Sequence, residues 1–258
     1  MRRCSISALA NKGILITRAV AQAEPFAHAV REAGGLPVFL PGIQIEPIDA
    51  RCPIVQADWV IYISPNAVQY GAPLTKTLVD AGAQPVAIGP STSRALAAIG
   101  LRQPLSAKAG FDSEALLKLS VFQHLHGKRI VIVRGVGGRE LLIDTLRERG
   151  ASVHILEVYR RDRPTLSVEQ VQYLETRWSQ GDIAVTTCLS VATLDNVMTT
   201  LTTRGQRMFM VTPLLSPSTR VLEHAAKLGH DALRVQAQGP QVSDLITALN
   251  AMAASGQI

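Results

Sequence analysis

The stretch "KRIVIVRGVGGRELLIDTLRERGASVHILEVYRR", Lys128 to Arg161, decides the fold. Its first part, 128–135, holds the unbroken apolar run Ile130-Val131-Ile132-Val133, the pattern of a strand covered on both faces. The next part, 138–150, sets Leu141, Leu142 and Leu146 among charged residues and closes on Gly150, which reads as a helix with its C-terminal glycine. The last part, 152–161, is a long second strand. Strand, helix, strand in that order predicts two parallel neighbours with the helix packed on the sheet.

The same alternation fills the chain on either side. Upstream, strands are read at 13–18, 36–41, 59–64 and 85–89, with an extended piece at 43–48 and helices at 22–33, 66–80, 92–99 and 113–125. Downstream, strands are read at 183–187 and 233–238, with fragments at 209–211 and 214–215. Helices fall at 168–180, 190–201, 218–228 and 243–254. Apolar strands alternating with helices of this length predict an α/β protein with parallel sheets covered on both faces.

Composition narrows the partners. The 258 residues are enough for one large domain or two of ordinary size, and 47% apolar with 18% charged residues is a soluble globular balance. Aromatic residues at 4% argue against base-stacking platforms, so no nucleic-acid partner is expected. A net charge of +6 suits an anionic partner without naming it. Cys4, Cys52 and Cys188 are odd in number, widely spaced and without a CxxC, so neither a disulfide framework nor a thiolate metal site is expected, and a reducing compartment fits. No run approaches the roughly 20 apolar residues that cross a bilayer. The expectation is a cytoplasmic protein without membrane or metal, and a monomer, since no coiled-coil pattern or large apolar stripe is evident.

One sequence pattern occurs twice. "IGPSTSRALAAIG" runs from Ile88 to Gly100 and "LSPSTRVLEHAAKLG" from Leu215 to Gly229. Each is preceded by an apolar run ending in Ser or Thr and then a helix, "IYISPNAV" before the first and "AVTTCLSV" before the second. This predicts two domains of one kind with hydroxyl-tipped strand-to-helix turns. Ligands of open parallel sheets bind beyond the carboxyl ends of the strands, where helix N-termini favour anions. Any one such turn alone reads as an ordinary N-cap before it reads as a ligand site.

Other motifs carry less. "RGVGGR" (134–139) follows a strand and opens a helix, but it lacks the third glycine of a dinucleotide fingerprint, and no acidic residue sits clearly at the end of the strand read at 152–161. Its glycines read as a tight turn, and Arg139 as a cleft cation or a solvated charge. His124 and His126 have no third ligand nearby and read as a solvated loop. "YRRDR" (159–163) is short and mixed in sign, not a nucleic-acid patch.

"GFDSEALLKL" (110–119), "RGVGGREL" (134–141) and "LEVYRRDRP" (156–164), in that order and spacing, resemble the uroporphyrinogen-III synthase family. "ILITRA", "SPNAV" (64–68), "VAIGPSTSRAL" (86–96), Ser218-Thr219-Arg220 and the closing "VQAQGPQVSDLITAL" agree with it over nearly the whole chain. The resemblance implies two similar parallel-sheet α/β domains joined by a two-stranded antiparallel linker. One would be discontinuous, 1–41 plus 167–258; the other would be inserted at 55–154; the linker strands would be 42–54 and 155–166. It also implies closure of the linear polycarboxylated tetrapyrrole hydroxymethylbilane to uroporphyrinogen III, with inversion of the last pyrrole ring, loss of water, and no cofactor.

Carried over residue by residue, the resemblance makes Tyr159 the group assisting departure of the hydroxyl; a buried strand tyrosine at a hinge is the alternative. Ser64, Asn66 and Thr92 would line one cleft wall, Thr187 and Ser218 the other, with Arg139 an added cation. Counting back from Arg220 matches Ser218 to Thr92; counting forward from Pro217 matches Thr219. The chain departs from the family at Ala19, where a proline is usual, at the segment "PLLSPS", and at Thr187-Cys188, where a serine is common. Two function classes stay open: the cyclising enzyme, and a non-catalytic two-domain module binding a small anion.

Overall fold

The computed structural model describes residues 9–101, 103–107, 110, 112–138 and 140–258. In chain order the elements are β1 (Gly13–Ile16), α1 (Val20–Glu32), β2 (Leu36–Phe39), β3 (Gln44–Pro47), β4 (Trp59–Tyr62), α2 (Pro65–Asp80), β5 (Gln84–Ala87), α3 (Pro90–Ala98) and α4 (Ser113–Leu117). After a 3₁₀ turn at Ser120–Phe122 come β6 (Arg129–Gly135), α5 (Leu141–Glu148), β7 (Ser152–Asp162), α6 (Val168–Ser179), β8 (Ile183–Thr187) and α7 (Val191–Thr200). The chain ends with α8 (Thr203–Met210), β9 (Leu214–Ser216), α9 (Thr219–Lys227), β10 (Arg234–Gln236) and α10 (Val242–Ala254).

The chain divides into two units, one formed by the segment up to Gln44 with Asp162–Ile258, the other by Ile45–Arg161. The first unit holds a sheet of order β10-β9-β8-β1-β2 in which every neighbouring pair is parallel. The second sheet has the order β3-β7-β6-β4-β5, with β7, β6, β4 and β5 parallel to their neighbours in turn and β3 at the edge. Two-residue alternation sorts the side chains. Leu15 enters one core of the first unit while Ile14 and Ile16 enter the other. In the second, Val60 and Tyr62 face one core and Ile61 the opposite one. Each fully buried aliphatic side chain contributes about 1.5–3 kcal/mol, so both faces of each sheet must be covered, and helices cover them.

The doubled sequence pattern has a different origin from the one expected. Numbered within its unit, the first sheet reads 2-1-3-4-5; leaving β3 aside, the second reads 2-1-3-4. The turn into α3 follows β5, the second strand of its series, whereas the turn into α9 follows β9, the fourth. The two stretches therefore sit on opposite sides of the point where the strand order reverses. Each is a strand-to-helix turn, but α3 has Gly89 at its N-cap and α9 has Ser218, neither with a side-chain cap bond, so the two stretches do not correspond in the fold.

Two element readings are corrected. The helix read over 113–125 ends at Leu117. The Arg149 guanidinium donates to the Leu117 and Phe122 carbonyls (2.6 and 2.9 Å), and Gln123 Nε2 donates to Leu117 and Leu119 (2.7 and 3.2 Å). These side chains take carbonyls that a longer helix would use, and the bend lets Leu116, Leu117, Phe122 and Leu125 all enter one core. The fragment 209–211, read as a strand, is instead the end of α8. Thr202 caps that helix by accepting from Arg204 and Gly205 N–H groups, and buried Glu175 accepts from the Thr202 N–H (3.1 Å) and hydroxyl (2.7 Å). Phe209 then meets Trp178 edge-on, with ring centroids 6.1 Å apart.

Candidate active site

In sheets of this strand order, ligands bind beyond the carboxyl ends of the strands where the order reverses. In the second unit that place lies between β4 and β6; in the first it lies between β1 and β8.

In the second unit the turn after β4 delivers Ser64. Its Oγ accepts the Ala67 N–H at 3.0 Å, capping α2, with Pro65 at the first helical position. Asn66, the next residue, is buried. The Tyr159 Oη lies 3.0 Å from Ser64 Oγ, joining residues 95 apart in sequence. Tyr159 itself is 1% exposed, so its phenol faces the hydroxyl of Ser64 and not solvent. The Tyr70 ring stands 6.3 Å away, and the Arg161 guanidinium lies 5.9 Å over the Tyr159 ring.

Tyr159 reaches this position through a fault in strand pairing. Arg134 stands opposite Glu157, but Gly135 stands opposite Tyr159, so Val158 is an extra residue on β7. The bulge breaks the alternation, and Val158 and Tyr159 both enter the core that covers Val131 and Val133. The Val136 N–H then donates to the Tyr159 carbonyl (2.8 Å), and the Ile48 N–H to that of Val158 (3.0 Å).

Beside it, buried Arg134 binds Glu140 (2.9 Å) and Glu157 (3.1 Å). This locks the turn after β6 to β7. Gly137 and Gly138 in that turn have φ of 73° and 115°, so these two glycines of "RGVGGR" serve a left-handed backbone, whereas Gly135 is the last residue of β6. A hollow of about 200 Å³ lies here, lined among others by Ile63, Ser113, Arg134 and Gly138. Thr92 is the third residue of α3 and is buried. Arg139 lies outside the described residues.

In the first unit the hydroxyls are turned into the sheet. Thr187 Oγ1 donates to the Leu15 carbonyl (2.8 Å) and Thr17 Oγ1 to the Thr187 carbonyl (2.7 Å). Ser190 caps α7 by accepting from Thr193 N–H at 3.1 Å. Ser218 is half-buried and directly precedes α9, and its N–H donates to Ser216 Oγ at 3.2 Å. Thr92 and Ser218 thus differ in helical position, because Pro90 starts α3 whereas Pro217 lies outside α9. Arg18, just past β1, donates to the Pro240 carbonyl (2.7 Å), and burial draws its guanidinium below the usual value. Sequence reasoning passed over Thr17, and gave Ser190 only as a helix start and Gly135 only as part of a tight turn. The strand order, which no local pattern reports, is the signal that marks the turns after β1, β8 and β6. Among the described residues no group of three or more His, Cys, Asp or Glu stands together as a metal site, and no helix is long and apolar enough to cross a membrane.

Two parallel α/β sheets of the 2-1-3-4 series, with hydroxyls at the strand ends, define the class of fold. The solved uroporphyrinogen-III synthetase of Helicobacter pylori has the same fold, with a TM-score of 0.60 at 12% identity over 95% of this chain and 98% of that one. A mutant uroporphyrinogen III synthase from Thermus thermophilus gives 0.53 at 17% identity, over 95% and 99%. The family model described as uroporphyrinogen-III synthase HemD matches residues 24–247, and the chain belongs to that family. The uroporphyrinogen-III synthase of Salmonella typhimurium is 36% identical over 164 residues, 57% of this chain and 64% of that protein. The one from Synechococcus elongatus is 31% identical over 173 residues, 61% and 63%. The matches span just under two thirds of these relatives' length.

Proposed function

We propose that this chain closes hydroxymethylbilane to uroporphyrinogen III, inverting the last pyrrole ring and releasing water. The observation that carries the reading is the Ser64–Tyr159 hydroxyl pair, 3.0 Å apart at a strand-order reversal. Ser64 Oγ already accepts one N–H; if it also accepts the phenol proton, its own proton points outward. Hydroxyls in such a chain polarise one another. The outward proton goes to the leaving hydroxyl as the pyrrole nitrogen's electrons break the C–O bond, and Tyr159 resupplies Ser64. The proton lost from the attacked pyrrole carbon at ring closure balances the one carried off in water. Tyr159 acts through Ser64, which fits its burial.

The remaining demand is orientation, because closure without inversion is the easier course. The carboxylates of the substrate suit helix N-termini and a net charge of +6. The reading includes Asn66, Thr92, Arg139 and Ser218 as substrate-binding positions, no cofactor, and a cytoplasmic monomer; Thr187, whose buried hydroxyl is taken by the Leu15 carbonyl, shapes its turn and does not offer that hydroxyl to substrate. It also takes the segments 42–54 and 155–166 as an antiparallel connection between two similar domains; the crossings at Gln44/Ile45 and Arg161/Asp162 support this. The test is to supply hydroxymethylbilane and separate the products by isomer. Enzymatic formation of the type III isomer is expected; the type I isomer alone, at the uncatalysed rate, rejects the reading in favour of a non-catalytic binding module.

A further inference from the structure

Gly135 ends β6 directly against the phenol of Tyr159. A Cβ built on Gly135 would lie 2.6 Å from both Cζ and Cε2 of that ring and 3.1 Å from Cδ2. Carbon atoms rest about 3.5–4.0 Å apart, so the ring would have to move by roughly 1 Å. Cζ carries the hydroxyl, so the push falls on the end that bonds Ser64. The ring has little room to yield, being 1% exposed and packed in the core with Val133 and Val158. Gly135 is also the residue paired with Tyr159 beyond the bulge, where the Val136 N–H holds the Tyr159 carbonyl at 2.8 Å. The backbone of Tyr159 is therefore pinned at the point where its ring would be displaced.

We propose that Gly135 is a positioning residue: its missing side chain, together with the extra residue Val158, sets the Tyr159 hydroxyl on Ser64. The proposal rests on the reading that this hydroxyl pair takes part in the reaction. A shift of roughly 1 Å breaks an O–H···O contact whose ordinary limit is about 3.0 Å, and misplacement of that size costs up to about 10²-fold in rate.

The experiment compares Gly135→Ala, Tyr159→Phe and the double variant for kcat with hydroxymethylbilane and for melting temperature. Phenylalanine keeps the ring and removes only the hydroxyl. Gly135→Ala is expected to lower kcat about 10- to 100-fold, and to lower it no further when Tyr159 is already Phe. Its melting temperature should drop by the same amount in both backgrounds, since the ring is crowded in both. A merely structural glycine would slow both backgrounds equally, or neither, and either result overturns the proposal. A Tyr159→Phe variant at full rate instead removes the underlying reading, a distinguishable outcome. If Gly135→Ala does not fold, it is placed with Tyr159→Leu, which removes the ring. Recovery of a cooperative melt in that pair supports the steric relation, and continued failure to fold overturns it.

Discussion

Thr17 and Thr187 stitch β1 to β8 at their carboxyl ends: the Thr17 hydroxyl donates to the Thr187 carbonyl, while the Thr187 hydroxyl donates to Leu15. Both side chains are buried, so each hydroxyl satisfies a strand-end carbonyl that water cannot reach. Thr187→Val should therefore cost about 1–3 kcal/mol in denaturant unfolding, and Thr187→Ser should recover most of it. Equal stability of wild type and the valine variant would show that the hydroxyl has no such structural task.

Ser64 caps α2 and, in the proposed function, also carries the hydroxyl relay. Ser64→Ala should lose about 1 kcal/mol of stability from the α2 N-terminus and about 10²–10⁴-fold in kcat. Because Tyr159 is read as acting through Ser64, adding Tyr159→Phe to Ser64→Ala should slow turnover no further. Multiplicative losses in a double-mutant cycle would separate the two residues.

His230 gives a pH dependence. Its ring is buried beside Phe209, with Nε2 3.0 Å from the Thr212 carbonyl and no partner at Nδ1. Burial, the largest cause, holds its pKa below the ordinary 6.5. The folded state then binds fewer protons than the unfolded state as pH falls through 6.5, so stability is full above that value and declines below it. Melting temperature against pH should show this decline, and His230→Gln should flatten it. An unchanged slope in the variant would assign the decline to other groups.

Cys188 should be chemically silent. It is fully buried, and burial pushes its thiol up to about 11. Alkylation of the native protein near pH 8 should leave Cys188 unmodified until denaturant is added, while the half-buried Cys52 reacts first. Rapid native labelling of Cys188, mapped by peptide mass, would contradict the packing around β8.

The strand–helix–strand rhythm was legible because each element carries its own period: Ile130–Val133 is apolar without alternation, and Leu142, Ile143 and Leu146 lie on one helical face. The failures were equally local in cause. The helix past Leu117 was invisible as a break because the groups that end it, Gln123 and Arg149, act through tertiary bonds. Residues 209–211 looked like a strand because Phe209 and its neighbours are apolar; the Thr202 cap that starts α8 is local, but Glu175, which holds Thr202 in place, is far away in sequence.

By itself, the sequence determined the α/β class, most element boundaries and the hydroxyl-bearing turns, since these follow from periodicity and caps within a few residues. The tertiary structure alone decided which turns lie at the order reversals and that Tyr159 points at Ser64. Strict alternation along "EVYRR" would put Tyr159 on the face of Glu157; the extra residue at Val158 turns it to the other. That bulge arises from pairing with β6, so its cause lies in residues the local chain does not contain.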